Sequence, residues 1–242
     1  MNIVINPAYQ HLSEFLHSAW NNFANIGEII YDKRNTLRKV ITPDGIELCI
    51  KQYHQPIFFN RIAYTFFRKS KAQRAYENAL RLTKINIPTP TPVAYIVCKK
   101  NGLITYSYLV TEFCRFSHNM YEFGNGMTNE PVQRAFARFT ATLHDCGILH
   151  RDYSPGNILF DTTNDRIQFC LIDINRMSFQ HIDMREGCKN MQRLYGTPEI
   201  IRLIAAEYAN ARNFDQQQCI DLTLHYWRRF WKNRQHNFNL FD

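Results

Sequence analysis

His150-Arg151-Asp152-Tyr153-Ser154-Pro155-Gly156-Asn157, continued by Ile158-Leu159-Phe160 and closed by Leu171-Ile172-Asp173, is the stretch that decides the fold. Asp152 and Asn157 are separated by a Pro-Gly pair, so the chain turns between them and can present both side chains to one ligand. The apolar run after Asn157 reads as a buried strand and Asn164-Asp165 as a hairpin turn. The return strand, Gln168 to Ile172, then delivers Asp173 to the end where Asn157 sits. An Asp to orient a hydroxyl, and an Asn and a second Asp as oxygen ligands, are the parts phosphoryl transfer needs, because that reaction is catalysed by positioning and charge. Each residue alone is commonplace as a turn or strand end. In this order and spacing they predict Asp152 as the catalytic residue and Asn157 and Asp173 as metal ligands.

That reading makes a demand upstream: a strand Lys for the α and β phosphates and a helix Glu to hold it. Ile46 to Tyr53 alternates like a half-buried strand after the turn Thr42-Pro43-Asp44-Gly45, and places Lys51 as the candidate. Ser70 can cap a helix running to Leu82, with Ala72, Tyr76, Ala79 and Leu80 on one face and Glu77 near it. A solvated Lys51 and a Glu77 paired to Arg81 are the bland alternatives. After the strand Tyr106 to Thr111, the backbone from about Glu112 to Cys114 is the expected adenine contact.

On these residues the chain resembles a bacterial lipopolysaccharide core kinase, of the group that phosphorylates Kdo or heptose sugars within the protein-kinase-like superfamily. The resemblance runs from about Gly27 to Met191. It is most specific in Asn60 to Glu77, in Ile87-Pro88-Thr89-Pro90-Thr91-Pro92-Val93-Ala94, around Asp152, and in Ile172-Asp173-Ile174-Asn175-Arg176. It implies an α+β, two-lobed protein-kinase-like fold: an antiparallel-sheet N-lobe with an N-terminal helix over 1–114, and a trimmed, mainly helical C-lobe over 115–242. It also implies ATP and Mg²⁺ as cofactors and a lipid-linked sugar acceptor.

The departures narrow the class. Ser154 stands where conventional Ser/Thr protein kinases carry a Lys, and Ile174-Asn175 where they carry Phe-Gly. Gly196-Thr197-Pro198-Glu199 reads as a turn and helix start with Pro198 in the first turn. Between the expected strands Gly27–Tyr31 and Thr36–Ile41, the connection Asp32-Lys33-Arg34-Asn35 has no Gly, so the close backbone approach of a Gly-rich phosphate loop is not available there. An atypical protein kinase and a pseudokinase acting as a binding module are the alternative readings. The Gly-less connection favours the second of these, and the full set of acidic and amide groups opposes it.

Composition bounds the rest. The 242 residues, 45% hydrophobic, suffice for one two-lobed unit with a sizeable core. No stretch has the length of a spanning helix, and the N-terminus lacks a charged and apolar leader, so a cytoplasmic protein, peripheral on the inner face of the inner membrane, is expected. Seven Cys without a C-x-x-C pair read as reduced core residues. The net charge of +8 gathers in Arg61, Arg68, Lys69, Lys71 and Arg74 beside Tyr64, Phe66 and Phe67, and again in Trp227 to Lys232. Basic residues among large aromatics suit an anionic membrane surface, and also nucleic acid. The membrane is the expected partner and nucleic acid is not, while for the second cluster an ordinary amphipathic helix is an equal reading. His144 and Asp145, on the helix that orients the loop, are expected to be structural, and His150 and Arg151 to brace the loop. Oligomeric state is left open.

Overall fold

The computed structural model describes residues 1–33, 35–125, 128–163 and 166–232. The chain divides into two compact units, Met1–Arg115 and Phe116–Asp242.

The first unit is built on an antiparallel sheet. Its strands are β1 (Asn2–Ile5), β2 (Glu28–Asp32), β3 (Thr36–Ile41), β4 (Glu47–Tyr53), β5 (Pro92–Lys100) and β6 (Leu103–Glu112), in the order β1-β5-β6-β4-β3-β2. Alternation along β4 sends Leu48 and Ile50 into a core with Val40, Ala94, Ile96, Tyr108 and Val110. The first helix, α1 (Ser13–Asn21), closes that face with Leu16, aided by Leu12 from the turn before it. Lys51 therefore belongs to the other face, in register with Leu109, which in turn opposes Tyr95.

On that second face lies α3 (Lys71–Lys84), preceded by the short α2 (Phe58–Phe66). Ser70 caps α3 as expected, accepting from the Gln73 amide, and Tyr76 packs on Tyr95 at 5.2 Å. The buried stripe is Ala72, Ala75, Tyr76, Ala79 and Leu82, so Leu82 takes the core position assigned to Leu80. Strand β1 was not anticipated. It pairs with β5 across some ninety residues of sequence, from Asn2 against Val97 to Ile5 against Ala94.

The β2–β3 hairpin is the sheet's exposed edge. Arg38, almost fully buried, donates to the Ile26 and Ala24 carbonyls at 2.9 and 2.5 Å and lies over the Phe23 ring. Gly27 is required where the hairpin starts: its φ is +61°, and a Cβ would stand 2.1 Å from the Lys39 carbonyl oxygen. In the Gly-less connection the Thr36 hydroxyl donates to the Asp32 carboxylate at 2.8 Å, while Arg34 lies outside the described residues.

The second unit holds the short β7 (His118–Asn119), then α4 (Glu130–Asp145), β8 (Ile148–His150), β9 (Ile158–Thr163), β10 (Arg166–Leu171), β11 (Met177–Phe179), α5 (Met184–Asn190), α6 (Pro198–Ala211) and α7 (Gln216–Lys232). Strand β9 pairs with β10 from Ile158 against Leu171 to Thr163 against Arg166; the expected turn at Asn164-Asp165 lies outside the described residues. The hairpin's Phe160 and Phe169 pack with Phe123 and with Phe136 and Phe139 of α4. Thr197 caps α6 with Pro198 at its first position, as the sequence predicts.

The basic aromatic cluster near the end of the chain resolves into an amphipathic helix. Trp227 is fully buried and its indole N–H donates to the Leu194 carbonyl at 2.9 Å, while Arg228 and Arg229 are exposed. Of the seven cysteines expected in the core, Cys170, Cys188 and Cys219 are buried, Cys49, Cys98 and Cys114 are half-buried, and Cys146 is exposed.

Candidate active site

The decisive stretch folds as a loop between β8 and β9. Asp152 follows β8, the segment Pro155–Asn157 makes a single 3-10 turn, and Asn157 directly precedes β9. Two bonds set the loop. The Asn157 side-chain amide donates to the Asp152 carbonyl at 2.8 Å, and the Asn157 carbonyl accepts from the Ile172 amide at 3.0 Å. The second bond brings the end of β10 beside the start of β9, so Asp152, Asn157 and Asp173 are gathered in one place. Because the Asn157 nitrogen is engaged, its amide oxygen is the side-chain atom that could coordinate a metal.

Asp173 sits in the left-handed region at φ 55°, a conformation that Asp tolerates better than most residues and that collects at functional sites. Asn175, nearly buried, donates to Asp173 Oδ1 at 2.8 Å and fixes the carboxylate. This role was missed in the sequence, although the signal was present: Asn175 occupies the place of a Gly that could hold nothing. A pair of oxygen ligands, one amide and one carboxylate, suits Mg²⁺, which binds few protein groups and completes its shell with phosphates and water. Among the described residues no cluster of three or more His, Cys, Asp or Glu could hold a metal by itself.

Of the residues expected to be structural or to brace the loop, His150 and His144 are tied to it, whereas the Asp145 carboxylate pairs with Arg212 and the Arg151 side chain donates to the Ser178 hydroxyl at 3.3 Å. His150 is buried; its Nδ1 accepts from the Asp152 amide at 3.1 Å, which leaves Nε2–H to donate to the Ile172 carbonyl at 3.1 Å. Burial lowers its pKa and keeps the ring neutral. The Asn190 amide donates to the His150 carbonyl at 2.9 Å, and its oxygen accepts from His144 Nε2–H at 3.2 Å. His144 Nδ1 accepts from the Tyr208 hydroxyl at 2.8 Å, and burial pushes its pKa down to about 4. A relay of hydrogen bonds thus runs from α6 through α4 and α5 to the backbone before Asp152. Arg193, just past α5, forms an ion pair with the Asp152 carboxylate, an interaction no spacing in the sequence announces.

In the first unit, Lys51 lies on the α3 face of the sheet with its ammonium 5.1 Å from the centre of the Tyr53 ring. Glu77 faces the same side, but its carboxylate is bonded to Lys69 Nζ at 2.7 and 2.9 Å and to the Gln73 amide at 3.1 Å. The structure thus gives Glu77 to Lys69 where the sequence reading gave it to Lys51. At the end of β6, the Glu112 amide is committed to the Thr91 carbonyl and the Phe113 amide to the Glu47 carbonyl, both at 2.9 Å. Glu112 also accepts from the Tyr9 hydroxyl at 2.6 Å; burial and this neighbouring carboxylate push the Tyr9 pKa up. Cys114 lies just beyond these committed amides.

Fold and site together define a phosphotransferase of the protein-kinase-like class. The sequence profile of the lipopolysaccharide kinase (Kdo/WaaP) family matches residues 31–226. The structure is similar to that of WaaP in complex with acyl carrier protein, with a TM-score of 0.64 and 17% identity over 100% of both chains. It is also similar to the amicoumacin kinase hAmiN in complex with AMP-PNP, Ca²⁺ and Ami, with a TM-score of 0.52 and 11% identity, covering 88% of this chain and 77% of that one. At such identities these two bear on the fold alone. GLH-binding kinase 1 of Caenorhabditis elegans is 26% identical over 156 residues, 61% of this chain, and the chain spans only 39% of its length. With most of its length matched by the profile, the chain belongs to the lipopolysaccharide kinase (Kdo/WaaP) family.

Proposed function

We propose that the protein transfers the γ-phosphate of ATP to a hydroxyl of an inner-core sugar, Kdo or heptose, of lipopolysaccharide. The observation that carries this reading is the joint placement of Asp152, Asn157 and Asp173 on a loop braced through His150, in a member of this family. Asp152 orients the acceptor hydroxyl and takes its proton as the bond to phosphorus forms. Asn157 and Asp173 offer the oxygens that would hold Mg²⁺, which when bound neutralises charge on the phosphates. Lys51 binds the α and β phosphates; Glu77 steadies it only when released from Lys69, so the Lys69 pair is a resting arrangement. The backbone from Glu112 to Cys114 takes the adenine contact, through groups other than the Glu112 and Phe113 amides, which are already used.

The acceptor is lipid-linked, and α2 supports a peripheral position on an anionic membrane. No residue of α2 is buried. Arg61 Nε donates to the Ile104 carbonyl at 2.8 Å, and the Thr65 hydroxyl accepts from the Ile104 amide at 2.9 Å, so these two residues mark the inner side of the helix. Helical spacing then turns Phe59 and Phe66 outward, where they are 79% and 67% exposed, with Phe67 82% exposed beside Arg68. Aromatic rings flanked by cations suit the headgroup region. Among the described residues no helix is long and apolar enough to cross a membrane.

Ser154, which an atypical protein kinase tolerates, favours one second reading, a protein acceptor. One assay decides between them: transfer of labelled γ-phosphate from ATP with Mg²⁺ to Kdo-containing lipid A and, in parallel, to a protein mixture, with Asp173→Ala as control. Label on the lipid sugar that is absent in the control supports the proposal. Label on protein alone supports the second reading, and no label in either overturns both.

A further inference from the structure

We propose that Arg193 is a catalytic residue that supplies the charge a conventional kinase takes from the Lys two residues after its catalytic Asp. That place is held here by Ser154, whose short hydroxyl carries no charge. The inference rests on the reading of Asp152 as the residue that receives the acceptor's proton.

Three observations support it. First, the Arg193 guanidinium is on the Asp152 carboxylate, with Nη1 bonded to Oδ1. A hydroxyl deprotonated by Asp152 must lie within about 3 Å of that carboxylate, and the same oxygen attacks the γ-phosphorus. A cation on Asp152 is therefore a few ångströms from the equatorial oxygens of the group in flight, where phosphoryl transfer concentrates negative charge. A planar guanidinium has five N–H donors, so one edge can keep Asp152 while another meets phosphate.

Second, Arg193 is carried on an anchored support. It ends the 3-10 turn Met191–Arg193, and the next carbonyl, that of Leu194, accepts from the indole N–H groups of both Trp227 and Trp231, at 2.9 and 3.0 Å. The guanidinium carbon lies 5.6 Å from the centre of the Phe230 ring, a cation–π contact that adds to the anchoring. Third, the side chain is about one-third exposed, at 34%, so it is open to a ligand and is not sealed in the core.

The acceptor oxygen forms a bond to the γ-phosphorus and gives its proton to Asp152. The bond from γ-phosphorus to the bridging oxygen breaks, and ADP leaves with the electron pair. Arg193 exchanges no atom and stabilises charge throughout.

A brace that merely holds Asp152 would give a different kinetic pattern. The test compares steady-state transfer by wild type, Arg193→Met, Arg193→Lys and the double variant Arg193→Met with Ser154→Lys, with melting temperatures alongside. Loss of one preorganised cation lowers kcat by roughly 10²–10³. KM for ATP and for acceptor stays within about threefold in Arg193→Met. Either Lys, at 193 or at 154, recovers at least about tenfold of that loss, because what is missing is charge. Retention of wild-type kcat within about threefold by Arg193→Met overturns the proposal. So does a fall in kcat that comes with a fall in melting temperature and is restored by neither Lys. Wild-type protein that transfers no phosphate refutes the reading beneath the proposal, and the proposal with it, which separates that failure from the other two.

Discussion

The buried imidazole of His144 makes stability fall between pH 7 and pH 5, and the amount can be worked from its surroundings. Desolvation is the main cause of its pKa of about 4, and the nearby Arg212 cation adds to it. The hydrogen bonds agree with a neutral ring: Nε2–H donates to the Asn190 oxygen, and Nδ1 accepts from a Tyr208 hydroxyl that itself receives Arg212 Nη1. In the unfolded chain the same imidazole titrates near 6.5. Between those values the unfolded state binds a proton that the folded state refuses, so stability is full above about pH 6.5 and falls as the pH drops toward 4. At about 1.4 kcal/mol per pH unit, the change from pH 7 to pH 5 is roughly 2 kcal/mol for this group.

His150, also lowered by burial, adds in the same direction. Carboxylates held below their usual range, such as Glu47 and Glu207, lose their contribution only as the pH falls toward and below their ordinary values, so this window isolates the histidines. Urea unfolding at pH 7.0 and 5.0 measures the effect, with an unchanged slope and a lower midpoint at pH 5.0. His144→Gln should be less stable at pH 7 and show a flatter pH dependence. A His144 ring that titrates near 6.5 by NMR in the folded protein would refute the reasoning.

Three further outcomes are expected. Asp152→Ala and Asp173→Ala each abolish transfer while keeping the wild-type circular dichroism, and a folded Asp152→Ala protein with full activity would sink the site assignment. Replacing Phe59, Phe66 and Phe67 together by Ser removes about 1 kcal/mol of partitioning for each ring, so binding to anionic vesicles should drop by roughly 10²-fold. Transfer to an acceptor stripped of its acyl chains should persist, and unchanged vesicle binding would count against α2. Gly187→Ala places a Cβ 2.0 Å from the Tyr208 hydroxyl and 3.1 Å from His144 Nδ1, which should cost about 1–3 kcal/mol in urea unfolding. An unaltered midpoint would show that the α5–α6 contact yields more than its packing suggests.

The features legible in the sequence were those decided by neighbours along the chain. The loop at Asp152, the hairpin strands that follow it, the Lys51 strand, the Ser70 cap and the Pro198 helix start each depend on local residue order. What stayed hidden depended on contacts between distant segments. Strand β1 is four residues with no alternation long enough to announce a partner, and only β5 explains it. Phe66 and Phe67 read from the sequence as part of a basic aromatic surface and are exposed, but that Phe58 and Phe59 are exposed on the same short helix is set by how α2 packs. Whether Glu77 meets Lys69 or Lys51 is a choice among cations of the same unit, made by tertiary packing and not by spacing. The Asp152 loop was visible as a ligand set, but the residues that hold it, Asn190 and Arg193, lie some forty positions further on.

Those two residues also show how a short helical unit can keep a catalytic loop in order. The loop is fixed from below by hydrogen bonds that begin at Tyr208 and pass through His144 and Asn190 to the His150 carbonyl. It is held at its reactive carboxylate by Arg193, whose own position follows from two tryptophans of α7 bonded to one carbonyl. Each described helix after Asp173 is therefore tied to the loop: α5 brings Asn190, the turn after it brings Arg193, α6 brings Tyr208, and α7 anchors the turn. A buried relay is rigid only while each member is satisfied, since one unpaired polar group in such a place costs more than its bond supplied. Loss of Asn190 would leave both the His150 carbonyl and the His144 N–H without these partners, and the disturbance would reach Asp152 through its amide bond to the His150 ring. Activity should for that reason be more sensitive than stability to changes along this path, because a loop displaced by a fraction of an ångström can still be folded and no longer aligned.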